Sequence, residues 1–483
     1  MTRQGIFDHI DQHLDSHICK IQELVRQPSV SLLTLGLREC AELVRQHLAE
    51  VGCQETALVD VGDAYPGVWG RLDSGAQKTI LYYSHYDVRP VGHETWDWPP
   101  FGAELVEMAP YKRVILGRGA RASKGPLQTW LNALQSIKAV EGRLPVNVLF
   151  LIEGAEILGS CNYLKLADVY KDRLKEAQAL LSPGASQNAK GEVSVVLGFK
   201  GLIYLELEAS GDAWGRGPIG GSVHSATNAI VDSPAWRLIH ALATLTTPDG
   251  TRLVVPGLEH VFDERKTIGA AERALLQRLQ ERFGDSDPNT IIPGLSPSTP
   301  VKVFKGGLTG KRILEEYLYA PSINISGLRS GYTGPGSKSF LLPHSAVATL
   351  DLRMITDMDA QEILHKLRAH LDREGFKDIR IHVYGAYNWG QTDPHADVVQ
   401  ATLKTLEAYG YPAVIWPMVA FGGPWAHIPK ALGIPALRNS ALGYGDRAAT
   451  SNEFYVVEGD GKVPGLAETE RFCVDLLYNY AGI

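Results

Sequence analysis

The chain has 483 residues, 45% of them apolar and 21% charged, with 47 Lys+Arg against 54 Asp+Glu and a net charge of −7. That balance excludes a disordered, collagenous or coiled-coil chain, and with no long basic run nucleic acid is not expected as a partner. Single cores stop growing at about 250–300 residues, so two domains are expected.

In chain order, residues 6–30 place Ile10, Leu14, Ile18, Ile21 and Leu24 at helical spacing, and 38–51 repeat that pattern. GVWGRL reads as a short strand. KTILYYSHYDV (78–88) reads as a buried strand carrying His85 and Asp87 at its carboxyl end. A helix is expected over 125–140 and a second buried strand over 144–156, ending in carboxylates. Strands alternating with helices imply an α/β sheet, whose sites lie beyond the strand carboxyl ends. From about residue 198 the texture changes. GLIYLELEAS (201–210) and AVATLDLRM (346–354) alternate as half-solvated antiparallel strands, with helices over 233–245 and after Asp359 and Glu362, and RIHVYGAY as a further strand. From about Asp393 the α/β texture returns: a helix over 396–410, then AVIWPMVAFGG and IPALRNSALGYG. No apolar stretch of about 18 residues suggests a membrane span. The amino-terminal residues carry no apolar signal region, and the five cysteines are scattered without CxxC spacing. A reduced, cytoplasmic protein is expected.

SHYDVRPVGHETWDWPPF (84–101), GRGARASKGPLQTWLNAL (117–134) and EGAEILGS (153–160) resemble three consecutive blocks of the M20 metallopeptidases. That group includes carnosinase-like dipeptidases, carboxypeptidase G2 and aminoacyl-amino-acid deacylases. GFKG (198–201), VHSATNAIVDSPAWRLIHALATL (223–245), INISGLRSGYTGPGSK (323–338), LDLR (350–353) and RAATSNE (447–453) extend the resemblance in family order. It implies an α/β catalytic domain with a mainly parallel sheet and helices on both faces, over 1–200 and 390–483. An inserted α+β lid over 201–389 would dimerise the protein. In such enzymes two Zn²⁺ share a bridging carboxylate and polarise a water and the scissile carbonyl, with a Glu as general base.

By the same resemblance His85 is the first zinc-binding His, Asp87 the carboxylate that orients it, and Glu156 a zinc-binding Glu. The bridging Asp is replaced by Ala122 and the general base by Ala155. Two further ligand positions hold Pro183 and Ala449. Zinc needs three or four protein ligands, and His85 and Glu156 alone would leave one ligand for each metal. No cofactor is therefore expected. His224 matches the lid His that touches the scissile carbonyl. Asn324 and Arg353 match residues that grip a substrate carboxylate, and Gly423 lies in a glycine turn lining the substrate site, where Pro424 replaces the usual Ser. Arg121 or Lys124 is expected to offset the negative charge of a pocket stripped of metal. Cys161 matches no nucleophile position.

Two readings stay open. The first is a metal-independent enzyme, using His85, Asp87, Glu156, Arg121, Lys124 and His224 for acid/base chemistry at or next to the carbonyl of a small, carboxylate-bearing amino-acid, dipeptide or acylamino-acid-like substrate: cyclisation, condensation, elimination or amide cleavage. The second is an inactive homologue with a binding or regulatory role. If the ligand positions are misaligned, an ordinary zinc dipeptidase or deacylase results. A homodimer through the lid is implied in each case.

Overall fold

In the computed structural model, which describes residues 3–92, 94–250, 252–259, 261, 268–295, 299–332, 334, 340–448 and 450–483, the run TILYYSH is a strand, Thr79–His85, with every residue buried. It pairs in parallel with Asn147–Glu153 and with Ala179–Ser182. Ala179–Ser182 pairs in parallel with Ala436–Arg438, and Ala413–Trp416 runs parallel to Val193–Val196. Glu55–Val59 and Gly67–Leu72 extend the sheet antiparallel, completing eight strands. The central sheet is thus mostly parallel, as the continuous apolar runs of its inner strands require.

Helices cover both of its faces. Residues three apart in a strand face opposite sides. On Gly67–Leu72, a Cβ at Gly67 would press into Leu166, and one at Gly70 would press into Leu48. The helices Tyr163–Val169 and Leu37–Val51 therefore lie on opposite sides. Gly125–Glu141 is buried on nearly all its faces and packs against Gln4–Arg26 and Leu466–Ala481. Inside that packing His17 and Asn132 both bond the buried carboxylate of Glu470. Leu466–Ala481, and a second antiparallel sheet of Glu104–Met108, Tyr111–Leu116, Phe454–Glu458 and Gly445–Asp446, are elements that the sequence reading does not contain. All of this belongs to one compact unit, 1–198, 391–417 and 428–483.

The second unit, 199–390 and 418–427, is an α+β sandwich. Its antiparallel sheet runs Ser322–Ser330, Ser345–Met354, Gly201–Ser210, Arg380–Tyr387. Alternate residues Ile203, Leu205, Leu207 and Ala348, Leu350, Leu352 form one core with Leu238, Ile363 and Leu367 of the helices Pro234–Ala243 and Ala360–Arg373. Asp359 caps the second helix by accepting from Gln361 N at 2.8 Å. Most of GYTGPGSK lies outside the described residues, as does Ala449.

Candidate functional site

Thr79–His85, Ala179–Ser182 and Ala436–Arg438 are neighbours in the sheet, and their carboxyl ends open on one cleft. The next strand in the sheet, Asn147–Glu153, stops sooner than expected. Gly154 passes so close to Tyr86 that a Cβ there would lie 2.2 Å from the phenol oxygen, and the chain then turns through Glu156–Leu158. Glu156 is thereby brought back toward the imidazole of His85. Asp87 ties the arrangement together. Its carboxylate faces His85 Nδ1 at 3.2 Å and accepts from the N–H of Glu156 at 3.1 Å and of Ile157 at 3.0 Å.

His85 Nε2 lies 3.8 Å from Glu156 Oε2, and Arg438 Nη2 donates to Glu156 Oε1 at 2.8 Å. Burial works to lower the His85 pKa, but the Glu156 charge and the Asp87 contact outweigh it and raise it to about 9. Burial works to raise that of Glu156, but His85 and Arg438 together bring it down to about 2. At neutral pH the site is an imidazolium–carboxylate–guanidinium chain. A carboxylate held that strongly ionised is a weak base. Behind it, burial pushes Glu153 up to about 8, and Tyr83 and Ser160 donate to the same oxygen of its carboxyl group.

The charge-balancing role expected of Arg121 or Lys124 falls instead to Arg438. Lys124 is fully buried and turns away, its Nζ donating to Gln27 O, and burial lowers its pKa. Arg121 lines the cleft, and its guanidinium forms no ion pair with Glu156. Its backbone N–H, with those of Gly119 and Ala122, donates to the buried carboxylate of Glu453, which also pairs with Arg118 at 3.1 Å. Glu453 therefore shapes the loop that holds Ala122. Burial raises the Cys161 thiol to about 11, far from a thiolate nucleophile. Arg438 was within reach of sequence reasoning, since it ends a strand of the sheet. Its partnership with Glu156, 282 residues away, has no local signature.

In the second unit Asp351 joins two of the expected substrate residues. Asn324 Nδ2 donates to its Oδ2 at 2.9 Å and Arg353 Nε to its Oδ1 at 3.0 Å, while Arg353 Nη1 reaches Ala420 O. Gly423 could not carry a side chain without striking Trp425. His224 is exposed and stands apart, its Nδ1 accepting from Ala226 N at 3.1 Å. Lys200, of the GFKG block, donates to Tyr317 O at 2.8 Å and Ala320 O at 2.6 Å. Burial, aided by Arg353, lowers its pKa to about 7. The folded state then binds fewer protons than the unfolded one between pH 7 and 10.5, so this group makes stability rise with pH across that window. The pH-dependent stability difference between wild type and Lys200→Met, followed by urea unfolding, is expected to show that rise; a flat difference would remove the lysine from the linkage.

A resident zinc pair is what the resemblance implies, and it would need a donor set of three or four ligands at each metal. Ala122 and Pro183 offer no donor atom, Glu156 is already engaged by a guanidinium, and among the described residues no group of three or more His, Cys, Asp or Glu could hold a metal ion. The described donors do not fit a pair of dications.

Residues 81–463 match the family described as Peptidase family M20/M25/M40. The chain is 25% identical over 481 residues to the Cys-Gly metallodipeptidase of Candida albicans, covering 93% of this chain and 92% of that one. It is 26% identical over 396 residues to the human Beta-Ala-His dipeptidase, covering 76% and 71%. An M20 family metallo-carboxypeptidase from Sulfolobus solfataricus superposes with a TM-score of 0.78 at 27% identity, covering 97% of this chain and 99% of that one. No described helix is long and apolar enough to cross a membrane.

Proposed function

The chain belongs to peptidase family M20/M25/M40, and from that premise we propose that it is a metal-independent enzyme acting on small, carboxylate-bearing dipeptide or acylamino-acid-like molecules. Its chemistry takes place at or next to an amide carbonyl. The observation that carries this reading is the chain His85–Glu156–Arg438, with Asp87 behind it, at the carboxyl ends of the sheet strands. His85 Nε2–H is the donor to a substrate oxygen or leaving group, and Asp87 sets its tautomer and orientation. Glu156 keeps His85 and Arg438 in place. Arg353, Asn324 and Gly423 are the proposed substrate-binding residues, with His224 as a further donor. The protein is proposed to be cytoplasmic and to dimerise through the second unit; free cysteines among the described residues support a reducing compartment.

A second reading, a zinc dipeptidase, is favoured by the names of the relatives, which are metallodipeptidases over most of this chain's length. One experiment separates the two. Purified protein is stripped with a chelator, assayed for zinc by mass spectrometry, and incubated with Cys-Gly, β-Ala-His and N-acyl amino acids, with and without added Zn²⁺. Turnover that survives stripping is expected. Turnover that appears only with zinc restored supports the second reading and overturns the first, and no turnover under either condition leaves a binding protein.

A further inference from the structure

The cleft beyond the sheet strands is lined by two arginines, Arg121 and Arg438. Asp87 is satisfied by His85 and two backbone N–H groups, Glu156 by Arg438 and His85, and Glu453 by Arg118 and three backbone N–H groups. Arg121 is left over: among the described residues its guanidinium has no carboxylate partner. It is nonetheless held in place. Its N–H is pinned by Glu453, and its stem lies where a Cβ at Gly445 would approach within 2.8 Å. Gly445 makes room for this side chain.

We propose that the cleft binds a small oxyanion, a carboxylate or phosphate group of the ligand, between Arg121 and Arg438. Ser84, Ser182 and Asn439 line the same cleft and supply hydroxyl and amide groups suited to an anion's remaining oxygens. Guanidinium forks match carboxylate and phosphate oxygens bidentately. The first turn of the helix Gly125–Glu141 borders the cleft through Pro126 and adds the positive end of its dipole. The same two guanidinium groups that attract an anion repel a dication. Where the relatives' scaffold is built around metal ions, this chain presents an anion receptor. The inference rests on the reading of this cleft as the ligand site and names the charge of the group that enters it.

Calorimetric titration of the full chain at low salt, with sodium phosphate and separately with sodium succinate, tests the proposal. At least one probe is expected to saturate. Arg121→Gln is expected to weaken that binding by about tenfold or more, as the loss of a charge-assisted contact demands. Arg38→Gln, which removes the same charge from an exposed surface pair with Asp60, leaves binding unchanged. Saturation by phosphate alone assigns a phosphate group, and saturation by succinate alone a carboxylate. If neither probe binds, if Arg121→Gln binds as tightly as Arg38→Gln, or if Zn²⁺ binds stoichiometrically and displaces the probe, the proposal is overturned. Anion binding without turnover of any amide substrate defeats the proposed function and leaves the oxyanion site standing. Turnover that survives zinc removal and ignores Arg121→Gln does the reverse.

Discussion

Glu156→Gln is expected to lower kcat/KM by about 10²–10³-fold, the cost of misplacing a preorganised donor at a reacting carbonyl, while leaving the far-ultraviolet circular dichroism unchanged. The reason lies in what Glu156 holds. Its two oxygens face His85 on one side and Arg438 on the other. The neutral amide keeps the shape and loses the charge, so both cations lose their anchor. A merely structural role would not move one further readout. His85, raised to about 9 in the intact site, has the Glu156 charge as its largest upward influence, while burial pulls the other way. Its titration, followed by NMR of the imidazole, is expected to fall in the variant. Sign and window follow: a raised histidine pKa contributes stability that is complete below the unfolded value of 6.5 and is lost as pH rises through about 9. That alkaline loss is expected to shrink in Glu156→Gln. Wild-type turnover in the variant, with an unshifted His85, would remove the carboxylate from the mechanism.

The second large effect is on stability. Glu453→Ala removes a fully buried carboxylate that accepts from the N–H groups of Gly119, Arg121 and Ala122 and pairs with Arg118, itself only 1% exposed. Breaking one side of a buried ion pair costs about 3–5 kcal/mol. Arg118 keeps its pair with Glu94 at 2.9 Å, which places the loss at the low end, while three backbone donors are stranded outright. Chemical denaturation is expected to show a loss of that size. Glu453→Gln, which keeps one acceptor oxygen, is expected to lose less. Equal stability of Glu453→Ala and wild type would mean that the loop 119–124 is shaped by something other than this carboxylate. The variant also tests the site at a distance, since the same loop carries Arg121 into the cleft.

Much of the architecture was legible in the sequence because periodicity is a local property. The run 80–83, apolar and aromatic and followed by polar residues ending at His85, reads as a buried strand of a parallel sheet. The alternation of Gly201–Ser210 and Ser345–Met354 is that of a sheet with one covered face. The position of His85 and Asp87 at a strand's end, and the want of donor atoms at Ala122 and Pro183, are likewise read directly from residue types. Tertiary structure alone decided how the charges pair. Arg121 stands one residue from Ala122 and was the nearest cation along the chain, yet the partner of Glu156 is Arg438, delivered by a strand lying next to Ala179–Ser182 in the sheet. Lys124 lies two residues from Ala122, but the start of its helix turns it to Gln27 O. Periodicity repeats over a few residues and survives in one dimension. Coulomb attraction depends only on distance in space, and distance is set by which strands the sheet places side by side.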